Sequence, residues 1–213
     1  MTETSKTNLI PRSLFVFAVL YGGMTCIAGI LGAKQVAIGP LAVESGIFPF
    51  LLLVVLSSSV AELHGRDTAN RLVRFGFIPL ITAIALIQIV LALPTDPGMY
   101  EPAKEAFPII LSQGARLMFA GIIAYGVSQF LNVYIFSRLA NMKGALLALR
   151  AAIASALSQI VDTVIFITIA FYGERPIGQL LLGQGSAKVV LSFLLVPFLI
   201  LFFVKLGQRL DRE

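Results

Sequence analysis

The chain has 213 residues, of which 58% are hydrophobic and 13% charged, and its mean hydropathy of +0.93 excludes an ordinary soluble domain. That length holds about five to seven membrane-crossing helices of about 20 residues each, which predicts an all-α polytopic membrane protein with one bundle over residues 1–213. A lone cysteine, Cys26, excludes an intrachain disulfide, and the net charge of +5 reads as membrane topology rather than nucleic-acid binding.

Six apolar segments follow, at about 12–33, 43–62, 75–94, 108–137, 150–172 and 186–205. Stretches such as FLLLVVL and FLLVPFLILFF are apolar all round, whereas a membrane strand alternates, so six transmembrane helices are expected. The first segment is too long for a secretory signal and lacks its small-residue cleavage site, so it is expected to remain in the protein. Its Gly22, Gly23, Gly29 and Gly32 suit close helix packing. The second carries Ser58 and Glu62 one turn apart; Glu62 stands either on the polar interior or at the interface, balancing Arg66. The basic stretch HGRDTANRLVR reads as a loop, with His64 at headgroup level.

Pro49, Pro79 and Pro197 fall inside predicted helices, where lipid tolerates them. After the third segment, TDPGMYEPAKEAF is rich in turn residues. The fourth aligns Tyr125, Gln129 and Asn132 on one face, with Ser128 beside them. Arg116, in the outer part of this segment, is nine residues from Tyr125 and so about half a circle away.

On the fifth segment, Ser155, Ser158, Gln159, Asp162 and Phe166 recur at intervals of three and four and form a stripe. Asp162 lies about twelve residues from the start of its helix, hence about 18 Å deep. A charge at mid-bilayer costs at least about 2.5–3.5 kcal/mol, so the stripes must face a polar interior. Before the sixth segment, GQG at 183–185 reads as a turn. Gln184, Lys188 and Ser192 follow in successive turns, and the long Lys188 stem brings its ammonium within reach of Asp162. Arg116 is a second candidate partner for that carboxylate.

Orientation follows from the basic residues near helix ends. With a cytoplasmic N-terminus, Lys6, Arg12, Arg66, Arg71, Arg74, Arg138, Lys143, Arg150, Lys205, Arg209 and Arg212 lie inside, against Lys34, Lys104 and Arg175 outside, eleven against three. Both termini are therefore expected in the cytoplasm. No phosphate-binding glycine loop, HExxH zinc pair or GxSxG elbow is present, and His64 is the only histidine. Neither a metal nor a cofactor is expected.

The stretches GILGAKQVAI, FPFLLLVVLSSSVAELHGRDTANRLV, ARLMFAGIIAYGVSQFLNVYIFSRL, LRAAIASALSQIVDTVIFITIAFYG and GQGSAKVVLSFLLVPF resemble successive signatures of the vitamin-uptake-like transporter family, which includes queuosine precursor transporters. The resemblance covers about residues 12 to 206 and is most specific at SQIVDTVIF. It implies a six-helix inner-membrane importer of 7-deazaguanine bases such as 7-cyano-7-deazaguanine, with no cofactor. It also implies that Lys34, Glu62, Gly65, Arg116, Gln129, Gln159, Asp162 and Lys188 match family positions. Ser58 stands where members of the family commonly carry an aspartate, and Asn132 where some of them do.

A purine-like solute suits these residues. Asp162 would accept from its N–H and amino edge, and Gln159, Gln129, Asn132 and Lys188 would complete the hydrogen bonds. Phe166 or Tyr125 would stack on the ring. Glu62 and Arg116 complete the candidate set. The other readings are a substrate-binding subunit of an energy-coupled uptake complex, an intramembrane enzyme using Asp162 and Glu62, and an assembly protein with closed helix contacts. Assembly into a homo-oligomer is left open.

Overall fold

The computed structural model describes residues 10–38, 41–112, 115–140, 146–173 and 177–212. Lys6, Lys143 and Arg175 of the charge count lie outside the described residues. Seven helices are present among those described: α1 (Arg12–Gly32), α2 (Ile47–His64), α3 (Arg66–Ala92), α4 (Glu101–Leu111), α5 (Ala115–Arg138), α6 (Leu146–Phe171) and α7 (Ile177–Leu210). All but α4 are long and apolar enough to cross a membrane.

Four boundaries differ from the sequence reading, each for a physical reason. Strands β1 (Gln35–Ile38) and β2 (Leu41–Glu44) form an antiparallel hairpin between α1 and α2, so the chain is not purely α. The basic stretch after α2 is helical: only Gly65, at φ +84° and ψ 162°, interrupts it, in a region open essentially to glycine alone. The solvated charges of Arg66, Arg71 and Arg74 then extend α3 beyond its apolar part. The 183–185 glycines lie within α7. Finally, α4 is a separate amphipathic helix with no buried residue, and its second residue is Pro102, in the first turn where a missing N–H costs nothing.

The central helix is α2. Its Leu51, Leu53, Val54, Val55, Leu56, Ser57, Ser58, Ser59 and Val60 are all buried, and it meets α1, α3, α5, α6 and α7. Pro49, in its first turn, forfeits no helical hydrogen bond. By contrast α3 leaves Phe75, Ile78, Ile81, Leu86 and Ile89 exposed, a surface suited to lipid.

Both ends of the chain come together. The backbone N–H and hydroxyl of Ser13 donate to Asp211 at 2.9 and 2.7 Å, and the hydroxyl also meets His64 Nε2 at 2.6 Å. This ties the start of α1, the end of α2 and the end of α7 at one end of the bundle, the terminal end. The hairpin and α4 lie at the other.

Candidate functional site

At the hairpin end a cavity of about 450 Å³ penetrates the bundle. Its lining runs from exposed Ala33, Ile109 and Ser112 down to buried Tyr125 and Asp162, so it communicates with the outside at that end. The contributing elements are α1 through Thr25 and Cys26, β2 through Glu44, α2 through Phe50, α3 through Leu80, α4 through Ile109, α5 through Tyr125, α6 through Asp162 and Phe166, and α7 through Gln184 and Lys188.

The polar centre of the cavity is an ion pair. Lys188 Nζ donates to Asp162 Oδ2 at 2.9 Å, as the reach of its stem predicts, and the two side chains are 12% and 7% exposed. Ser128 donates to the other carboxylate oxygen at 3.1 Å, and the ammonium stands 5.8 Å from the Phe50 ring centroid. Asp162 is thus held on three helices, α5, α6 and α7, with its polar edge toward the void. Higher in the cavity, Gln184 Nε2 donates to Glu44 Oε1 at 3.1 Å, fastening β2 to α7. Phe166 lines the wall and meets Phe171 edge-on at 6.3 Å.

Tyr125 forms part of the floor. Its hydroxyl donates to the Tyr21 hydroxyl at 3.0 Å, and that of Tyr21 reaches Gln129 Oε1 at 3.4 Å. The Tyr125 ring meets Phe77 edge-on at 5.0 Å. The pair fits because Gly76 lies against it: a β-carbon there would overlap the Tyr125 hydroxyl and the Tyr21 ring.

Five of the nine residues singled out in the sequence are not lining this cavity. Gln129, Asn132 and Gln159 are fully buried in a layer on the terminal side of Tyr125. Arg116 donates to the carbonyls of Ile169 and Tyr172, where a cation serves the carbonyl end of α6. Glu62 does not balance Arg66; it takes a hydrogen bond from Arg150 Nη2, whose guanidinium lies 3.7 Å over the Phe136 ring. Asp162, Lys188, Phe166 and Tyr125 do meet at the cavity.

Sequence reasoning left out Glu44, Phe50 and Tyr21. Glu44 carried a signal, being an acidic residue at the very start of an apolar segment. His64 is also more than a headgroup-level side chain, since its ring bonds Ser13. That Ser13, His64 and Asp211 cluster is not a nucleophilic relay. The carboxylate and imidazole both address the same hydroxyl, whereas a relay needs the carboxylate on the far ring nitrogen. At Asp211, burial raises the carboxyl pKa, but the two Ser13 hydrogen bonds and the His64 charge outweigh it and hold the group below its ordinary value. Among the described residues no cluster of three or more His, Cys, Asp or Glu could hold a metal ion.

Comparison with known proteins agrees with a membrane carrier. A family model described as "Putative vitamin uptake transporter" matches residues 44–202, a span that holds most of the cavity lining. A protein of Bacillus subtilis (strain 168) described as "Probable queuosine precursor transporter" is 28% identical over 190 residues, covering 88% of this chain and 78% of its own. No solved structure matches the chain.

Proposed function

We propose, since this chain belongs to the vitamin uptake transporter family, that it is a multi-pass carrier importing a queuosine precursor, 7-cyano-7-deazaguanine or a related 7-deazaguanine base, across the cell inner membrane with both termini cytoplasmic. The observation that carries this reading is an acid–base pair facing an open cavity. Asp162 and Lys188 offer adjacent acceptor and donor groups at the bottom of a void of about 450 Å³, within the range of about 300–1,000 Å³ usual for small-molecule sites.

A deazaguanine presents matching chemistry. Its ring N–H and amino group donate side by side to a carboxylate, its carbonyl accepts from an ammonium, and its face stacks on an aromatic ring. Entering the cavity, the base would take Asp162 Oδ2 from Lys188 and return a carbonyl to the freed ammonium, so neither charge is left unpaired. Phe166 supplies the stacking wall, and the lipid-facing surface of α3 supports placement in a bilayer.

The test uses purified protein in liposomes with no other protein, supplied with 7-cyano-7-deazaguanine. Accumulation inside, abolished in an Asp162→Asn variant, is expected. Binding without accumulation would favour the substrate-binding subunit of an energy-coupled complex. Absence of binding would overturn the assignment of the solute.

A further inference from the structure

Beneath the cavity floor, toward the terminal end, lies a second set of polar side chains that the protein itself does not satisfy. Asn132 Nδ2 donates to Val54 O, Ser57 Oγ and Ser58 Oγ at 3.3, 3.2 and 3.0 Å, but its Oδ1 has no partner. Gln129 Oε1 accepts from Tyr21 and Ser57, both at 3.4 Å, and its Nε2 has none. Gln159 has a partner at neither amide atom. All three residues are fully buried.

These groups share one level. Ser128 on α5 meets Asp162 on α6, and the two helices run antiparallel. At 1.5 Å per residue, Gln129 and Asn132 lie about 1.5–6 Å beyond that contact and Gln159 about 4.5 Å beyond it, all in the same direction. Gln159 stands one turn from Asp162 and keeps to its face. The result is two amide donors and two carbonyl acceptors, unmet and at a similar depth in the bundle. Each such buried orphan is costly, and native proteins rarely keep several together without a use. Unmet donors and acceptors at one depth suit the lactam edge of a planar heterocycle, which itself alternates N–H and C=O.

Two tyrosines link this layer to the cavity. Tyr125 touches the void, its hydroxyl holds Tyr21, and Tyr21 reaches Gln129, so the pair stands between the cavity and the amide of Gln129. We propose that Gln129, Asn132 and Gln159 form a second, inner binding station for a planar lactam-bearing base, occupied after the Asp162 cavity and reached when the Tyr21–Tyr125 pair opens. The inference rests on the carrier reading above and adds a step to it.

A variant at Gln159 tests it, because that amide makes no protein hydrogen bond and its removal leaves no partner stranded. In Gln159→Met, binding of 7-cyano-7-deazaguanine to the detergent-solubilised protein stays within about threefold of wild type, whereas initial uptake into liposomes falls about tenfold or more. The thermal midpoint is unchanged or higher, since two unmet polar atoms have gone. Gln129→Met serves as a second variant, with the same split between binding and uptake. Normal uptake in both overturns the proposal, as does a lowered midpoint in Gln159→Met, which would make the layer interhelical glue. Binding that falls in step with uptake would merge the layer with the cavity site and equally overturn a separate station. Wild-type protein that neither binds nor accumulates the base overturns the assignment of the solute made above, a result distinguished by needing no variant.

Discussion

Removing the Asp162–Lys188 pair one charge at a time, and then whole, separates a strut from a binding site. Asp162→Ala deletes a carboxylate that takes hydrogen bonds from Lys188 at 2.9 Å and Ser128 at 3.1 Å, and strands an ammonium that is 12% exposed. An uncompensated buried charge costs about 3–5 kcal/mol, and because Lys188 borders an open cavity the lower end, about 3 kcal/mol, is expected. Replacing both, as Asp162→Leu with Lys188→Met, removes the charges together. Such exchanges are often neutral, or stabilising by about 1–4 kcal/mol, so the thermal midpoint recovers to near wild type. Binding of the base does not recover. Loss of charge-assisted hydrogen bonding, about 1.5–3 kcal/mol, weakens it roughly tenfold to a hundredfold in the single and double variants alike. Thermal melts of the purified proteins, with binding and liposome uptake of 7-cyano-7-deazaguanine, give both readouts. A double variant that regains stability and uptake together would refute the reasoning and leave the pair as a structural strut.

Two further outcomes follow from local geometry. A β-carbon at Gly46 would sit 2.7 Å from the Ala28 carbonyl oxygen and 3.1 Å from Gly32 Cα; since these are backbone atoms, Gly46→Ala must push α2 off α1, costing about 1–3 kcal/mol and lowering the thermal midpoint. Asp211 has a depressed native pKa, so its contribution is present above its unfolded value of about 3.9 and fades as pH falls through the native one. The thermal advantage of wild type over Asp211→Asn should therefore shrink as pH falls below about 4; an advantage that instead grows below that pH would contradict the assignment.

The ion pair lining the cavity was legible because lipid makes ionisable residues conspicuous. Asp162 in an otherwise uncharged run, and Lys188 near the start of the sixth apolar segment, announce themselves by cost alone. Arg116 and Glu62 were conspicuous for the same reason, yet Arg116 serves the carbonyl end of α6 and Glu62 pairs with Arg150, and hydropathy does not say which charge meets which. The split between cavity and inner layer was invisible for another reason. Tyr125, Gln129 and Asn132 share one face, and periodicity gives direction around an axis but not the barrier that Tyr21, from a different helix, builds across it. The hairpin escaped because its strands have only four residues each, too short for an alternation to stand out from flanking apolar sequence. The extension of α3 through Arg66, Arg71 and Arg74 escaped because hydropathy reports where a helix leaves the hydrocarbon, not where its hydrogen bonds stop.

Asp162 and Lys188 also have an electrical consequence. A unit charge displaced across a membrane potential of 100 mV does or absorbs about 2.3 kcal/mol of work, but this couple carries one charge of each sign at 2.9 Å separation, and the field pulls equally on both. Reorienting the pair with a neutral passenger moves no net charge. Any voltage sensitivity in turnover must then enter with a co-travelling ion rather than through the binding groups themselves.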